Sequence, residues 1–252
     1  MTFALETKEL TIRFGGHTAV DAVSCGFAPG SLTAIVGPNG AGKTTYFNLI
    51  SGQLKATAGR VLLHGEDISG SSAAQRSHRG IGRAFQLTNL FPNLSVLENI
   101  RLAVQSRAGL GLNLWSIWNS HRELIGRAEE VLETVALTAK RDMAAAALPH
   151  GDQRKLEVGI LMALEPDVFM FDEPTAGMSV DEVPVILDLI RALKARRDKT
   201  ILLVEHKMDV VRELADRIIV LHNGALVADG DPASVIASPI VQEAYLGVEV
   251  AK

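Results

Sequence analysis

Residues Gly37 to Thr44 read GPNGAGKT. The run satisfies the pattern G-x-x-x-x-G-K-[ST]. It lies between the apolar SLTAIV and the helix-like KTTYFNLISG, the strand–turn–helix context that the pattern requires. Glycines let successive backbone N–H groups turn into one concavity, where phosphate oxygens accept from them. The helix that follows adds the positive end of its dipole. Lys43 supplies a fixed charge for the β- and γ-phosphates of a nucleotide, and the Thr44 hydroxyl is a candidate ligand for Mg2+. Asn39, Gly40, Ala41, Gly42, Lys43, Thr44 and Thr45 are therefore the candidate nucleotide-binding residues. A β–turn–α unit of this kind predicts an α/β fold.

Toward the C-terminus, DVFMFDEP reads as a buried strand ending in Asp172 and Glu173, where open α/β sheets present ligand-binding groups. Asp172 fits a Mg2+-associated carboxylate acting through coordinated water. Glu173 is the candidate general base for water attacking the γ-phosphate. A second buried strand, KTILLVEH, delivers His206 to a similar height on the sheet, as a γ-phosphate contact that holds water and base in place. Gln86 ends the short strand GIGRAFQ, and its amide is a candidate contact for Mg2+ or the attacking water. Read singly, an acidic strand end is a solvated terminus and a lone His or Gln is a loop residue. Beside the phosphate loop those readings reverse.

The N-terminal FALETKELTIRFGGHTAVDAVSCGFAPG has short apolar runs broken by Gly-Gly and Pro-Gly, which predicts an antiparallel β region. Between Phe85 and Leu164 the texture becomes helical, with VLENIRLAVQS and HRELIGRAEEVLETVAL flanking a glycine-rich stretch that carries Trp115 and Trp118. The expected organisation is a single domain over 1–252. Residues 1–85 and 165–252 form an α/β core with a β region, and 86–164 form an inserted helical subdomain. VDEVPVILDLIRALKAR reads as a helix with an internal Pro184, and DRIIVLHNGALVADG as a hairpin around Asn223-Gly224.

Composition fits a globular chain: of 252 residues, 47% are hydrophobic and 21% charged. The net charge of −4 gives no electrostatic reason to expect nucleic-acid binding. The single cysteine, Cys25, rules out an internal disulfide, fits a reducing compartment and reads as a small core thiol. The start MTFALETKELTIRF lacks the basic and long apolar regions of a signal peptide. No apolar run approaches the roughly 18–20 residues of a membrane span, so a soluble chain is expected, reaching any membrane through a partner.

In order and spacing, GPNGAGKTT, AFQ, LPHGDQ, FMFDEP, AGMS and VEH resemble the phosphate loop, Q-loop, signature, acidic strand, D-loop and switch histidine of the nucleotide-binding subunits of ATP-binding cassette transporters. The resemblance spans nearly the whole chain. It implies a P-loop ATPase core, ATP and Mg2+ as ligands, and a head-to-tail dimer in which one subunit's phosphate loop and the other's signature enclose each ATP. By it, Phe14 matches the aromatic that stacks on adenine, with Val20 beside the base; as a residue alone, Phe14 also reads as core. The same resemblance implies that Pro149, His150, Gly151, Asp152 and Ser179 face the partner's nucleotide. RFGGHTAVDAVS, the helical insertion and GDPASVIASPIVQEAYLG are similar to the longer ATPase of importers for branched-chain amino acids, urea, short amides or aromatic acids. That implies a second ATPase subunit (identical or different), two integral membrane permeases, an extracytoplasmic solute-binding protein, and a peripheral place on the cytoplasmic face of the inner membrane. Trp115 and Trp118 then read either as helix packing or as a contact near the permeases.

Two departures stand out. The signature usually reads Leu-Ser-Gly-Gly-Gln, and here Pro149 brings neither hydroxyl nor N–H. Asp152 is a candidate helix cap whose charge Arg154 and Lys155 could offset. Ser179 replaces the usual aspartate of the D-loop. A composite site using this signature is therefore expected to be weakened, while the Lys43–Asp172–Glu173–His206 half is complete. The alternatives are a nucleotide-gated regulatory subunit with weak hydrolysis, which the altered signature keeps open, and a soluble non-transport cassette ATPase. The latter usually has two cassettes or a long coiled coil, and neither is present.

Overall fold

The runs on either side of Gly15-Gly16 form an antiparallel hairpin, β1 (Leu5–Phe14) with β2 (His17–Phe27). The computed structural model describes residues 2–84, 90–109, 122–239 and 241–242. On its other edge β1 pairs antiparallel with β4 (Ala58–Leu63), and β5 (Glu66–Asp67) completes a four-stranded sheet. A six-stranded sheet takes β10 (Ala225–Gly230), β9 (Arg217–His222), β3 (Leu32–Val36), β8 (Thr200–Val204), β7 (Val168–Asp172) and β6 (Ile81–Ala84) in that order. Strands β9, β3, β8 and β7 run parallel, and β10 turns back antiparallel on β9. Every residue of β3, β7 and β8 is buried, as expected of parallel strands covered on both faces.

The chain divides into two units: Met1–Arg83, Asp167–Glu173 and Arg191–Lys252 in one, Ala84–Pro166 and Pro174–Ile190 in the other. The segment Pro174–Ile190 thus groups with the helical unit, where the sequence reading kept it with the core. In the first unit one apolar cluster joins the antiparallel sheet (Leu5, Leu10, Val23, Phe27), helix α1 (Lys43–Ser51) and the parallel strands (Ile35, Met170, Leu202, Ile219). Helix α1 is enclosed on several sides, with Tyr46, Phe47, Leu49 and Ile50 no more than 1% exposed. Each such side chain stabilises by roughly 1.5–3 kcal/mol relative to exposure. The Tyr46 hydroxyl shares a 2.8 Å hydrogen bond with Thr7 Oγ1, so its polar end is also satisfied. Cys25 is buried, and desolvation pushes its thiol up to about 11, as a core thiol requires. A short helix, α2 (Ala73–His78), begins with a capping box between Ser72 and Gln75.

The second unit contains α3 (Val96–Arg107), α4 (Arg122–Thr134) and α5 (His150–Leu164). A Cβ on Gly159 of α5 would lie 3.3–3.4 Å from Ile100 and Val135, so the glycine permits close packing there. Asn99 is 2% exposed and ties down the segment before α3, donating to Phe91 O at 3.1 Å and accepting from Phe91 N–H at 2.8 Å. Helix α6 (Val183–Ala195) starts later than its sequence pattern suggested. Pro184 is its second residue, in the first turn, where a missing N–H forfeits no intrahelical bond. Helices α7 (Met208–Leu214) and α8 (Pro232–Ala237) complete the described α-helices. Among the described residues no helix is long and apolar enough to cross a membrane.

Candidate functional site

The phosphate-type loop leaves β3 and enters α1 with Gly42 as N-cap, at φ 97° and ψ 4°. That left-handed conformation favours glycine, and a Cβ there would also run into the Ala19 carbonyl oxygen. No side chain caps the helix, so its first-turn N–H groups have no acceptor of that kind. At the loop's other end, a Cβ on Gly37 would strike the Leu221 carbonyl oxygen. The tip of the β9–β10 hairpin braces the loop: Gly224 N–H donates to Ala41 O at 3.1 Å, and Asp21 N–H donates to Gly224 O at 2.9 Å. Asn223 and Gly224 have φ of 49° and 80°, the left-handed pair that a two-residue hairpin turn needs.

Loop, β-region and strand ends surround a cavity of about 430 Å3 lined by Phe14, His17 and Ala19, by residues 39–45, and by Glu173 and His206. The sequence-derived loop residues therefore gather at one place. Phe14 is 51% exposed, which overturns its reading as core and leaves its ring free to stack. Val20 is fully buried in the apolar cluster. It does not line the cavity; Ala19, its neighbour on the alternating strand, does. His17 sits opposite Phe14 in the hairpin register. The Gly15-Gly16 break predicts the antiparallel pairing, but His17 itself was not singled out.

Lys43 is 6% exposed, and its ammonium donates to Gly37 O at 2.7 Å and Pro38 O at 3.0 Å. Burial lowers its pKa from the ordinary lysine value, while Glu173 and Asp172 pull it back up. Glu173 has φ 49°, an uncommon conformation for a non-glycine residue, and its N–H donates to Val204 O at 3.0 Å. Its Oε1 lies 2.6 Å from His206 Nε2. The pair predicted from two separate strand ends is thus in direct contact. Glu205, buried at 3%, accepts from the backbone N–H groups of His206 at 2.8 Å and Lys207 at 3.3 Å. It anchors the histidine's backbone, and its place inside the VEH motif was its only signal.

Asp172 is 2% exposed, and its Oδ2 accepts from Arg83 Nη2 at 2.6 Å. Burial pushes its carboxyl up from the usual carboxylate range, and Arg83 works against that shift. Asp172 Oδ1 is buried with no hydrogen-bond partner among the described residues. A buried orphan oxygen is costly unless something uses it. Together with the Thr44 hydroxyl at the cavity, it is a hard-oxygen donor set that fits Mg2+. The described residues contain no cluster of three or more His, Cys, Asp or Glu that could cage a metal. Gln86 lies outside the described residues, as do Trp115 and Trp118.

The signature and D-loop residues lie in the second unit. Pro149 is the N-cap of α5, with no side-chain capping bond, and the helix starts at His150. Asp152 is therefore not the cap. It sits in the first turn, a favourable place for an acid, and is paired with Lys140 and with Lys155 at 2.9 Å. Arg154 instead bonds Glu157 at 2.6 Å. Burial pushes the Asp152 carboxyl up, but the lysine hydrogen bonds outweigh it and leave the group below the usual range. Ser179 N–H and Oγ donate to Glu182 Oε2 at 3.1 and 2.9 Å. A Cβ on Gly151 would run into that same Glu182 carboxylate. The two motifs thus meet at Glu182, an acid outside every motif quoted above.

The chain matches the ABC transporter family over residues 20–176 and the branched-chain amino acid ATP-binding cassette transporter family over residues 225–251. It is 36% identical over 248 residues to the high-affinity branched-chain amino acid transport ATP-binding protein LivG of Escherichia coli, covering 96% of this chain and 97% of that one. Against the high-affinity branched-chain amino acid transport ATP-binding protein BraF of Pseudomonas aeruginosa, identity is 37% over 249 residues, covering 96% and 97%. The crystal structure of the ADP conformation of an ATP-binding cassette of an ABC transporter superposes with a TM-score of 0.83 at 31% identity, covering 98% and 100% of the two chains. A dimeric post-hydrolysis cassette bound to ADP and Pi gives 0.77 at 26%, covering 90% and 98%.

Proposed function

Since the chain belongs to the ABC transporter family as one of its ATP-binding cassettes, we propose that it is the ATP-hydrolysing subunit of an importer for branched-chain amino acids or related small polar solutes. The observation that carries this reading is the meeting, at one cavity, of an uncapped helix N-terminus, Lys43 and the Glu173–His206 pair.

ATP lies with its base on Phe14 and its phosphates along residues 39–45. Base–aromatic stacking contributes about 1–3 kcal/mol, and the loop N–H groups and Lys43 take the phosphate charge. Glu173 Oε1 faces His206, so Oε2 is the oxygen that accepts a proton from the attacking water. His206 fixes the carboxylate's rotamer and turns to the γ-phosphate when nucleotide enters. Thr44 and Asp172, with Gln86, would hold Mg2+, which supplies charge neutralisation on the β- and γ-phosphates.

A second ATPase subunit closes over this nucleotide. In return, Pro149, His150, Gly151, Asp152 and Ser179 are this chain's contribution to the partner's site. Two permeases and an extracytoplasmic solute-binding protein complete the assembly, with this chain peripheral on the cytoplasmic face of the inner membrane. The support for the solute class is that LivG and BraF are branched-chain amino acid transport ATP-binding proteins, together with the match over residues 225–251. Glu173→Gln in the assembled complex tests the central assignment. Loss of at least a hundredfold in transport-coupled hydrolysis is expected, and a nearly unchanged rate refutes it.

A further inference from the structure

Arg83 carries more contacts than a strand residue needs. One guanidinium nitrogen, Nη2, holds Asp172 Oδ2 at 2.6 Å. The other, Nη1, donates to Asn48 Oδ1 at 2.6 Å and Ser51 Oγ at 3.1 Å. The guanidinium also lies 5.6 Å from the centre of the Phe47 ring, within cation–π range. Asn48, Ser51 and Phe47 all belong to α1.

Helical spacing gives those contacts a direction. Thr44, Asn48 and Ser51 stand at i, i+4 and i+7 on α1, so they share one face of the helix. Arg83 therefore grips the face that begins with Thr44 while holding the carboxylate of Asp172. These are the two described residues assigned to Mg2+. The ion pair occupies only Oδ2, and Oδ1 is the buried oxygen with no partner among the described residues. A carboxylate held by one oxygen against a planar fork has a fixed rotation, so the other oxygen has a fixed address.

We propose that Arg83 is a positioning residue for the metal: it sets the separation between Thr44 on α1 and Asp172 on β7 and turns Asp172 Oδ1 toward the ion. The inference rests on the reading of Asp172 as the metal-associated carboxylate. Arg83 touches neither ion nor nucleotide and acts through the two groups it holds. Lysine cannot replace it, because one ammonium cannot reproduce two divergent, coplanar sets of donors.

The test uses the full-length chain with Mn2+ as the probe, and its paramagnetic resonance signal to count free metal at saturating ADP. ADP affinity in EDTA is measured alongside. In Arg83→Lys, Mn2+ affinity is expected to fall about tenfold, with metal-free ADP affinity within about twofold of the parent. A merely structural arginine would weaken both equally or neither, and either result overturns the proposal. Asn48→Ala removes the shortest bond on the α1 side of the fork, keeps that to Ser51, and leaves the Asp172 side intact. It is expected to weaken Mn2+ about threefold with the same selectivity, and it decides the matter if Arg83→Lys does not fold. An unselective or absent effect there also overturns the proposal. Asp172→Asn separates the two levels. If it leaves Mn2+ binding unchanged, the assignment of Asp172 fails. If it weakens binding while the Arg83 and Asn48 variants do not, only the positioning role fails.

Discussion

Glu173 sits where backbone strain and chemistry coincide, and its two smallest replacements separate them. Its φ of 49° places an L-residue in the left-handed region, at a cost of about 1–2 kcal/mol. Glu173→Ala and Glu173→Gly both delete the carboxylate and its 2.6 Å contact with His206, so that loss cancels between them. They differ in backbone terms. Alanine keeps the left-handed cost, and glycine escapes it but loosens the unfolded chain by about 0.4–1 kcal/mol. The balance makes Glu173→Gly more stable than Glu173→Ala by about 0.5–1 kcal/mol, the reverse of the order at an ordinary position. With an m-value of about 3 kcal/mol/M, the urea midpoints should differ by about 0.2–0.3 M in glycine's favour. Both variants should lose hydrolysis by at least about a hundredfold. If alanine is the more stable, the strain is absent. If either variant hydrolyses ATP at the parent rate, Glu173 is not the base.

Three further outcomes follow from the geometry. Phe14→Ala should weaken ATP binding by about 1–3 kcal/mol while leaving the unfolding midpoint nearly unchanged, because the ring is 51% exposed; an equal loss of stability would return Phe14 to the core. Asp152→Asn tests linkage. The Asp152 carboxyl lies below its usual range in the folded chain, so its contribution is present above the unfolded value of about 3.9 and is lost as pH falls through the folded one. The parent should therefore exceed the variant by about 1–2 kcal/mol near pH 7, with the gap closing under acid; a gap independent of pH refutes the pairing. Pro149→Ser should stabilise the chain by about 0.5–1 kcal/mol, because serine gives α5 the side-chain cap it lacks. Denaturation reads the change, and a loss of stability would mean that the proline is required at that turn.

The parts of the site that could be read in advance were those written locally. GPNGAGKT, the acidic end of VFMFDE and the Asn-Gly turn each carry their geometry within a few residues, and the structure places them accordingly. Other features depend on chain segments meeting from far apart. Arg83 finds Asp172 across 89 residues, and no spacing rule marks one buried arginine among several. The exchange of Val20 for Ala19 at the cavity has a different origin. Val20 is placed beside the base by resemblance, whereas in the β1–β2 pairing the register shifts between Ile12↔Val20 and Arg13↔Thr18, leaving Ala19 as the extra residue on β2. Asp152 looked like a cap because acids favour caps. The lysine that pairs with it from outside the helix, Lys140, comes from a separate segment before α5.

The brace between the phosphate loop and the Asn223-Gly224 turn also sets a schedule for synthesis. The GPNGAGKT motif leaves the ribosome about 180 residues before Gly224, and Leu32, at the start of β3, bonds Asp216 across 184 residues. At about 5–20 residues per second, the loop waits for roughly ten seconds or more before its neighbours exist. A nascent chain halted before β9 would carry an intact nucleotide motif without the hairpin contact to Ala41. The brace at Ala41 can therefore form only after Gly224 has been made.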